Sequence, residues 1–238
     1  MLAKQEMVLA GLDVSREVFH YLDPATKFEP RAKDGDKIKA GTVLARVSGK
    51  TRVLLTGERV ALNLLQHLSG IATLTAKYVE QLNGLKAQVL DTRKTTPGLR
   101  QLEKYAVRMG GGKNHRMGLY DMVLIKDNHI ASAAGIANAV LRVRNKMQSR
   151  FKIEVETKTL DEVREALAAQ ADTIMLDNMP VEIMREAVKL IAGRALVEAS
   201  GNVTLDTIRA IAETGVDFIS TGSITHSAPA ADISMKIK

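Results

Sequence analysis

From residue 87 onward the chain keeps a rhythm that few architectures satisfy. Six short apolar or β-branched runs, AQVLDTRK, DMVLIKDN, FKIEVETK, DTIMLDNM, ALVEASGN and DFISTGSI, alternate with amphipathic stretches such as LDEVREALAAQ, VEIMREAVKLIAG and TLDTIRAIAETG. Strict alternation of strand and helix implies parallel strands joined by crossover helices, in either a barrel or an open doubly wound sheet. The polar residues decide between them. Asp91 with Arg93 and Lys94, Lys126, Glu156, Asp177, Glu198 with Ser200, and Ser220 with Ser223 fall where the apolar runs end. Groups converging from six strand ends are what the C-terminal mouth of a (β/α) barrel provides, whereas an open sheet gathers its ligands near one switch point. With six units visible, the expected fold is α/β: an incomplete (β/α) barrel.

The chain ahead of this rhythm reads differently. Residues 1–57 are rich in short alternating segments and turns, as in KDGDKIKAGTVLARVSG, where Gly35, Asp36 and Gly41 punctuate strand-like runs. This predicts a small β-rich, sandwich-like α+β domain. Its hairpin frame is similar to that of biotinyl and lipoyl carrier domains, but the turn lacks a lysine to carry the prosthetic group. From Glu58 to Leu82 apolar residues recur every three or four positions, interrupted at Ser69-Gly70, which predicts two helices or one kinked helix, positioned to close the barrel. The expected organisation is a small domain with its linking helix over 1–70, the barrel over 71–224, and a C-terminal segment, 225–238, packing back toward the small domain.

Composition narrows the function. The net charge of +7 is carried without any block of five like charges, and aromatic residues make up only 3% of the chain. Neither a basic tail nor a base-stacking platform is present, so the charge points to an acidic small molecule rather than nucleic acid. With no cysteine, disulfides and thiolate metal sites are excluded. No apolar run approaches the roughly 20 residues that span a bilayer, and the opening MLAKQEMVLAGLDV does not follow a secretory pattern. The expectation is a cytoplasmic protein that engages neither membrane nor nucleic acid.

Candidate site residues follow from the strand ends. In DTRKTTPG, Arg93 and Lys94 leave one strand end together, a planar guanidinium and a compact ammonium suited to carboxylate or phosphate. In GGGKNHRMGL, three glycines permit close backbone approach ahead of Asn114, His115 and Arg116; a histidine is neutral or charged near physiological pH, and an anionic ligand would favour the charged form of His115. Lys126 in LIKDNH points into a barrel mouth, while Asp127 and Asn128 read as caps of the following helix. Glu156 and Asp177 end consecutive strands; hard oxygen donors of this kind suit Mg²⁺ beside substrate phosphates, or equally sugar hydroxyls. EASGN and STGS put small residues at the last two strand ends, where barrels often bind phosphate.

These motifs, with GERVALNLLQHLSGIATLT, LDTRKTTPGLRQLEKYAV and TGSITHSAPAADIS in the same order, resemble the quinolinate phosphoribosyltransferase family, the carboxylating nicotinate-nucleotide pyrophosphorylases, over nearly the whole chain. Met109 stands where the family commonly has a cysteine. The resemblance implies a Mg²⁺-dependent reaction of quinolinate with 5-phosphoribosyl 1-diphosphate that yields nicotinate mononucleotide, diphosphate and CO₂ for NAD biosynthesis. It implies a homodimer at least, with Arg59 reaching across from the neighbouring subunit. Arg59, Thr92, Arg93, Lys94, His115, Arg116 and Lys126 are the implied substrate-binding set for carboxylates and phosphates. Glu156 and Asp177 are implied at the ribose and its metal, directly or through water or substrate, and Ser200, Gly201, Gly222 and Ser223 at the 5-phosphate. Lys126, Glu156 and Asp177 are the implied catalytic residues.

Overall fold

The computed structural model describes residues 1–147 and 150–236. The chain forms two compact units, one from Met1–Val79, Lys94–Lys113 and Gly222–Lys238, the other from Glu80–Arg93 and Asn114–Thr221. Ile237 and Lys238, the end of the expected 225–238 segment, lie outside the described residues.

Along the chain, β1 (Leu2–Ala3), β2 (Met7–Val8), α1 (Leu12–Leu22), β3 (Lys27–Pro30), β4 (Lys37–Ile38), β5 (Ala45–Ser48) and the long helix α2 (Thr51–Gln81) come first. They are followed by β6 (Gln88–Leu90), α3 (Arg100–Met109), β7 (Val123–Ile125), α4 (Asp127–Ala133), α5 (Ile136–Met147), β8 (Ile153–Thr157), α6 (Leu160–Ala168) and β9 (Thr173–Asp177). The chain continues through α7 (Val181–Ile191), β10 (Leu196–Ser200), α8 (Ile208–Ala212), β11 (Phe218–Ser220), α9 (Ser223–His226) and β12 (Ile233–Ser234).

The first unit packs short antiparallel pairs, β1 with β12, β2 with β4 and β3 with β5, around a core that includes Met7, Leu9, Phe19, Leu44, Leu65 and Ile233. Helix α1 lies within the stretch expected to be β-rich. Its Leu12, Ser15 and Phe19 are buried at helical spacing, and Asp34 caps it from a distance by accepting from Gly11 N (2.8 Å) and Leu12 N (3.1 Å). Gly11 takes φ +98 to present those amides, a conformation that suits glycine.

Helix α2 runs unbroken for 31 residues, correcting the expected interruption at Ser69-Gly70. Both residues serve packing. Ser69 Oγ accepts from Ala10 N (3.1 Å) and donates to Ala10 O (3.2 Å), while a Cβ on Gly70 would overlap the carbonyl oxygen of Pro229. The helix tolerates glycine at a cost of roughly 1 kcal/mol because the C-terminal segment passes against its backbone there.

In the second unit six parallel strands lie in the order β6-β11-β10-β9-β8-β7. The first strand of the series pairs with the last, the neighbourhood a barrel creates; the seam between β6 and β7 is unpaired among the described residues. The barrel is therefore incomplete, and α2 does not supply a closing strand. Period-two alternation sorts the side chains. Val89, Ile153, Val155, Ile174, Leu176, Val197, Ala199 and Ile219 share one register-matched face and are buried, and α6, α7 and α8 contribute buried apolar side chains beside these strands. The opposite face carries Glu154, Glu156, Met175, Asp177, Glu198, Ser200 and Ser220. At the strand N-termini Asp172 accepts from Ile153 N and Asp217 from Val197 N, each at 2.9 Å, which locks the register of β8 and β10.

Gly70→Ala should destabilise the protein by about 1–3 kcal/mol, the usual cost of overpacking, seen as a lower urea midpoint without loss of helical signal in the native baseline.

Candidate active site

The C-terminal ends of the six strands hold the chemistry. Asp91, directly after β6, is fully buried and organises the segment that precedes β7: its carboxylate accepts from Asn114 Nδ2 (2.5 Å) and from His115 N (2.9 Å). The next turn is closed by Asp121, which accepts from Met117 N (2.6 Å) and Gly118 N (3.1 Å). Between these anchors stands Arg116, which donates from Nη1 to Met122 O at 3.3 Å. Burial, followed by the charge of Arg93, lowers its pKa from the ordinary guanidinium value. Two guanidinium groups near enough to repel are an arrangement that an anion relieves.

His115 faces inward. Its Nε2 lies 3.1 Å from Glu154 Oε2 and 3.5 Å from Glu198 Oε2, and its Nδ1 accepts the backbone N–H of Arg116 at 2.7 Å. Glu154 and Glu198 come from β8 and β10, and they meet across the intervening β9 because the sheet curves as a barrel wall does, where alternate strands fill one layer. Both are buried, and Oε1 of each is without a hydrogen-bond partner among the described residues. Burial first, and the charge of Glu154 second, raise Glu198 well above the usual carboxylate range.

Lys126 follows β7 and reaches Glu156 Oε2 at 2.9 Å. It is oriented at the start of α4 by His129, whose Nδ1 accepts from Lys126 N at 3.0 Å. Asp127 is the first residue of that helix and pairs with Lys158 at 3.1 Å, which raises the Lys158 pKa. Asp177 ends β9 and accepts from Asn178 Nδ2 at 3.1 Å. Gly201 follows β10 with φ +93, and a Cβ there would overlap the Asn178 amide, which Asn202 also engages at 3.0 Å. Ser220 and Ser200 join through their hydroxyls at 3.0 Å.

Within the second unit, Arg93, His115, Arg116, Lys126, Glu156, Asp177, Ser200 and Gly201 thus gather at one end of the sheet, with half-buried Thr92 beside Arg93. Within the first unit Lys94, Gly222 and Ser223 cluster: Thr225 Oγ1 donates to Lys94 O at 2.8 Å, a Cβ on Gly222 would crowd Lys94 and His226, and Ser223 Oγ lies 3.2 Å from Tyr78 OH. Thr96 N, in the same loop as Lys94, donates to the fully buried Glu103 (3.1 Å), which His67 also meets at 2.8 Å. Arg59 stands apart from these, nineteen positions before Tyr78 on α2, which is roughly 28 Å along a helix. It is exposed beside Leu55 and Val60, which are 58% and 54% exposed.

Glu154, His129 and Lys158 enter the site without having been singled out from sequence, and Glu198, read there only as a strand-end group, joins them. The alternation in IEVET and LVEAS carried the signal for the two glutamates, since Glu154 shares parity with Glu156 and Glu198 with Ser200. A cavity of about 870 Å³ opens at the other end of the strands, beside Lys86, Lys152, Asp172, Arg194 and Asp217. Its lysines are paired with its aspartates at 2.8 and 2.9 Å, and Arg194 caps α7 through Ile191 O and Leu190 O, so this end serves the register of the sheet.

Fold and site define a protein of the incomplete (β/α)-barrel class, with cationic side chains gathered beside a row of carboxylates at the strand ends. Residues 1–69 match the N-terminal domain and residues 71–236 the C-terminal domain of quinolinate phosphoribosyl transferase. The chain is 50% identical to a probable nicotinate-nucleotide pyrophosphorylase [carboxylating] of Synechocystis, over 99% of this chain and 81% of that protein. A protein of the same description from Bacillus subtilis is 48% identical, covering 100% and 82%. The crystal structure of NadC from Streptococcus pyogenes superposes with a TM-score of 0.95 at 48% identity, covering 99% of this chain and 83% of that one. The chain belongs to the quinolinate phosphoribosyltransferase family and is a phosphoribosyltransferase.

The raised Glu198 has a consequence for stability. The folded chain keeps on Glu198 a proton that the unfolded chain releases in the ordinary carboxylate range, so the stabilisation from that proton is complete below this range and is lost as pH rises through the folded value. Glu198→Gln should therefore flatten the fall of the urea midpoint as pH rises above the ordinary carboxylate range, relative to the parent protein.

Proposed function

We propose that this chain transfers the phosphoribosyl group of 5-phosphoribosyl 1-diphosphate to quinolinate with loss of CO₂, giving nicotinate mononucleotide and diphosphate in NAD biosynthesis. The observation that carries the reading is the meeting, at one end of one sheet, of Arg93, Arg116 and Lys126 with Glu156 and Asp177. A dicarboxylate and a sugar phosphate need that pairing of positive and negative groups.

In this reading Arg93, Lys94, Arg116 and Lys126 hold the two carboxylates of quinolinate, with Thr92 and His115 beside them. Ser200 and Gly201, with Gly222 and Ser223, receive the 5-phosphate through hydroxyls and backbone amides. The pyridine nitrogen displaces diphosphate at C1 while the ribose acquires cationic character, and the carboxylates of Glu156 and Asp177 stabilise that charge and orient the ribose hydroxyls. Loss of CO₂ follows, the electron pair left at C2 being stabilised by the positive ring nitrogen until C2 takes up a proton from solvent. Lys126, already paired with Glu156, links the cationic and acidic halves of the site.

Glu156 and Asp177 also fit Mg²⁺. They are hard oxygen donors two register positions apart on one face of adjacent strands, and one oxygen of Glu156 is committed to Lys126, which favours contact through water or substrate oxygens. Bound there, Mg²⁺ would neutralise charge on the departing diphosphate. Arg59 supports a homodimer. Exposed between Leu55 and Val60 and far along α2 from Tyr78, it is suited to a second copy of the chain rather than to its own Lys94 and Ser223. The cysteine-free composition accords with a cytoplasmic setting.

Incubation with quinolinate, the sugar diphosphate and Mg²⁺ should yield nicotinate mononucleotide and CO₂, and chelation of the metal should stop the reaction; equal use of nicotinate would overturn the two-carboxylate reading. Lys126→Ala and Glu156→Gln should each lower kcat/KM by about 100-fold or more while the chain remains folded by circular dichroism.

A further inference from the structure

We propose that Thr225 is a positioning residue whose hydroxyl ties the Lys94 backbone to the turn bearing Gly222 and Ser223, and so sets the spacing of two anion-binding groups. The inference rests on the functional reading in taking Lys94 to meet a carboxylate of the acid and Gly222 with Ser223 to meet the 5-phosphate.

Local pairing decides where the hydroxyl proton goes. Thr225 is the third residue of α9, and its Oγ1 lies 2.8 Å from Lys94 O and 3.0 Å from Gly222 O. A threonine in a helix ordinarily turns its hydroxyl to a carbonyl three or four positions back. Here that carbonyl, Gly222 O, already accepts two backbone N–H groups, from Thr225 at 3.1 Å and from His226 at 3.0 Å. Two such bonds occupy both lone pairs of a carbonyl oxygen, so the hydroxyl proton goes to Lys94 O, the nearer acceptor.

The tie is short in space and long in sequence. It joins residues 131 positions apart, and Thr225 is only 2% exposed, so water does not compete for the hydroxyl and its loss is felt in full.

The two segments also interlock beside this bond. A Cβ on Gly222 would stand 3.0 Å from Lys94 Cδ and 3.0 Å from His226 Cδ2, so the stem of the lysine lies across the glycine. Each segment has an anchor of its own: Thr96 N donates to Glu103 of α3 at 3.1 Å, and Ser223 Oγ lies 3.2 Å from Tyr78 OH of α2. Those anchors bind each segment to a helix, whereas the Thr225 hydroxyl binds the segments to each other. A lysine side chain is costly to order. Fixing its backbone and laying its stem on Gly222 narrows where the ammonium can stand relative to the phosphate turn, an alignment of the kind that bringing two anionic reactants together requires.

Thr225→Ser and Thr225→Ala both lack the methyl group and differ in the hydroxyl, so comparing them isolates the tie. Thr225→Ala should raise KM for quinolinate and KM for the sugar diphosphate together, each about tenfold above Thr225→Ser, which should itself stay within about threefold of the parent. Equal KM values in the two variants, or a rise in one KM alone, would refute the proposal. So would a lower urea midpoint with both KM values unchanged, the mark of a merely structural hydroxyl. In a Lys94→Met chain, where the positioned group is gone, Thr225→Ala should move the quinolinate KM by less than about twofold further; a full additional tenfold would show that Thr225 acts elsewhere. If Thr225→Ala does not fold, Thr225→Val, which keeps the methyl and lacks the hydroxyl, takes its place in comparison with the parent.

Hydrogen exchange of the unliganded full chain reads the tie without turnover. Residues 94–99 and 222–227 should exchange faster in Thr225→Ala than in Thr225→Ser, and equal exchange would overturn the proposal whatever the kinetics. If the parent protein does not turn over quinolinate, the functional reading falls while exchange still decides the tie.

Discussion

Period-two alternation in β8, β9 and β10 is the constraint on which the site depends. Ile153, Val155, Ile174, Leu176, Val197 and Ala199 are driven out of water onto one face, and the hydrophobic effect acting there determines what the other face must display. Glu154, Glu156, Asp177, Glu198 and Ser200 occupy that other face as a consequence. A shift of one residue in any of these strands would exchange the two sets, so the same apolar packing that stabilises the sheet also aims its carboxylates.

Aspartates do the corresponding work for the loops. Asp34 holds the start of α1, Asp91 and Asp121 hold the segment bearing His115 and Arg116, and Asp172 and Asp217 tie neighbouring strands together, each by accepting backbone N–H groups. A carboxylate that accepts two amides turns a flexible connection into a defined turn. The cations gathered at the strand ends, which come from loops, therefore stand on supports nearly as firm as the strands that bear the acids, a preorganisation on which the proposed transfer would draw.

Much of this was legible in the residues. The alternating runs after residue 87 announced parallel strands, and their polar ends announced a barrel mouth, because both signals come from local hydrophobic periodicity. The motifs from GERVAL to TGSITHSAP carried the family. What escaped notice was non-local. Ser69-Gly70 has the composition of a break, but its partners, Ala10 and Pro229, are distant in sequence. Helix α1 was hidden among turn residues because its cap, Asp34, comes more than twenty positions later. Glu154 lay inside an apolar run and Glu198 was read only as a strand-end group, and strand pairing alone revealed that they stand on one face; the contact of His115 Nε2 with Glu154 is likewise between residues distant in sequence.

The first unit draws on three separated stretches of chain, and its β1 pairs with β12 through Ala3 opposite Ile233. During synthesis the ribosome delivers β1 first and β12 last. The stretch from Asn114 to Thr221, which supplies five of the six barrel strands, emerges complete while β1 still awaits its mate, with its backbone edge exposed to unwanted pairing. A chain interrupted ahead of β12 would carry the barrel strands while β1 has no mate, so closure of the first unit waits on Ile233 and Ser234.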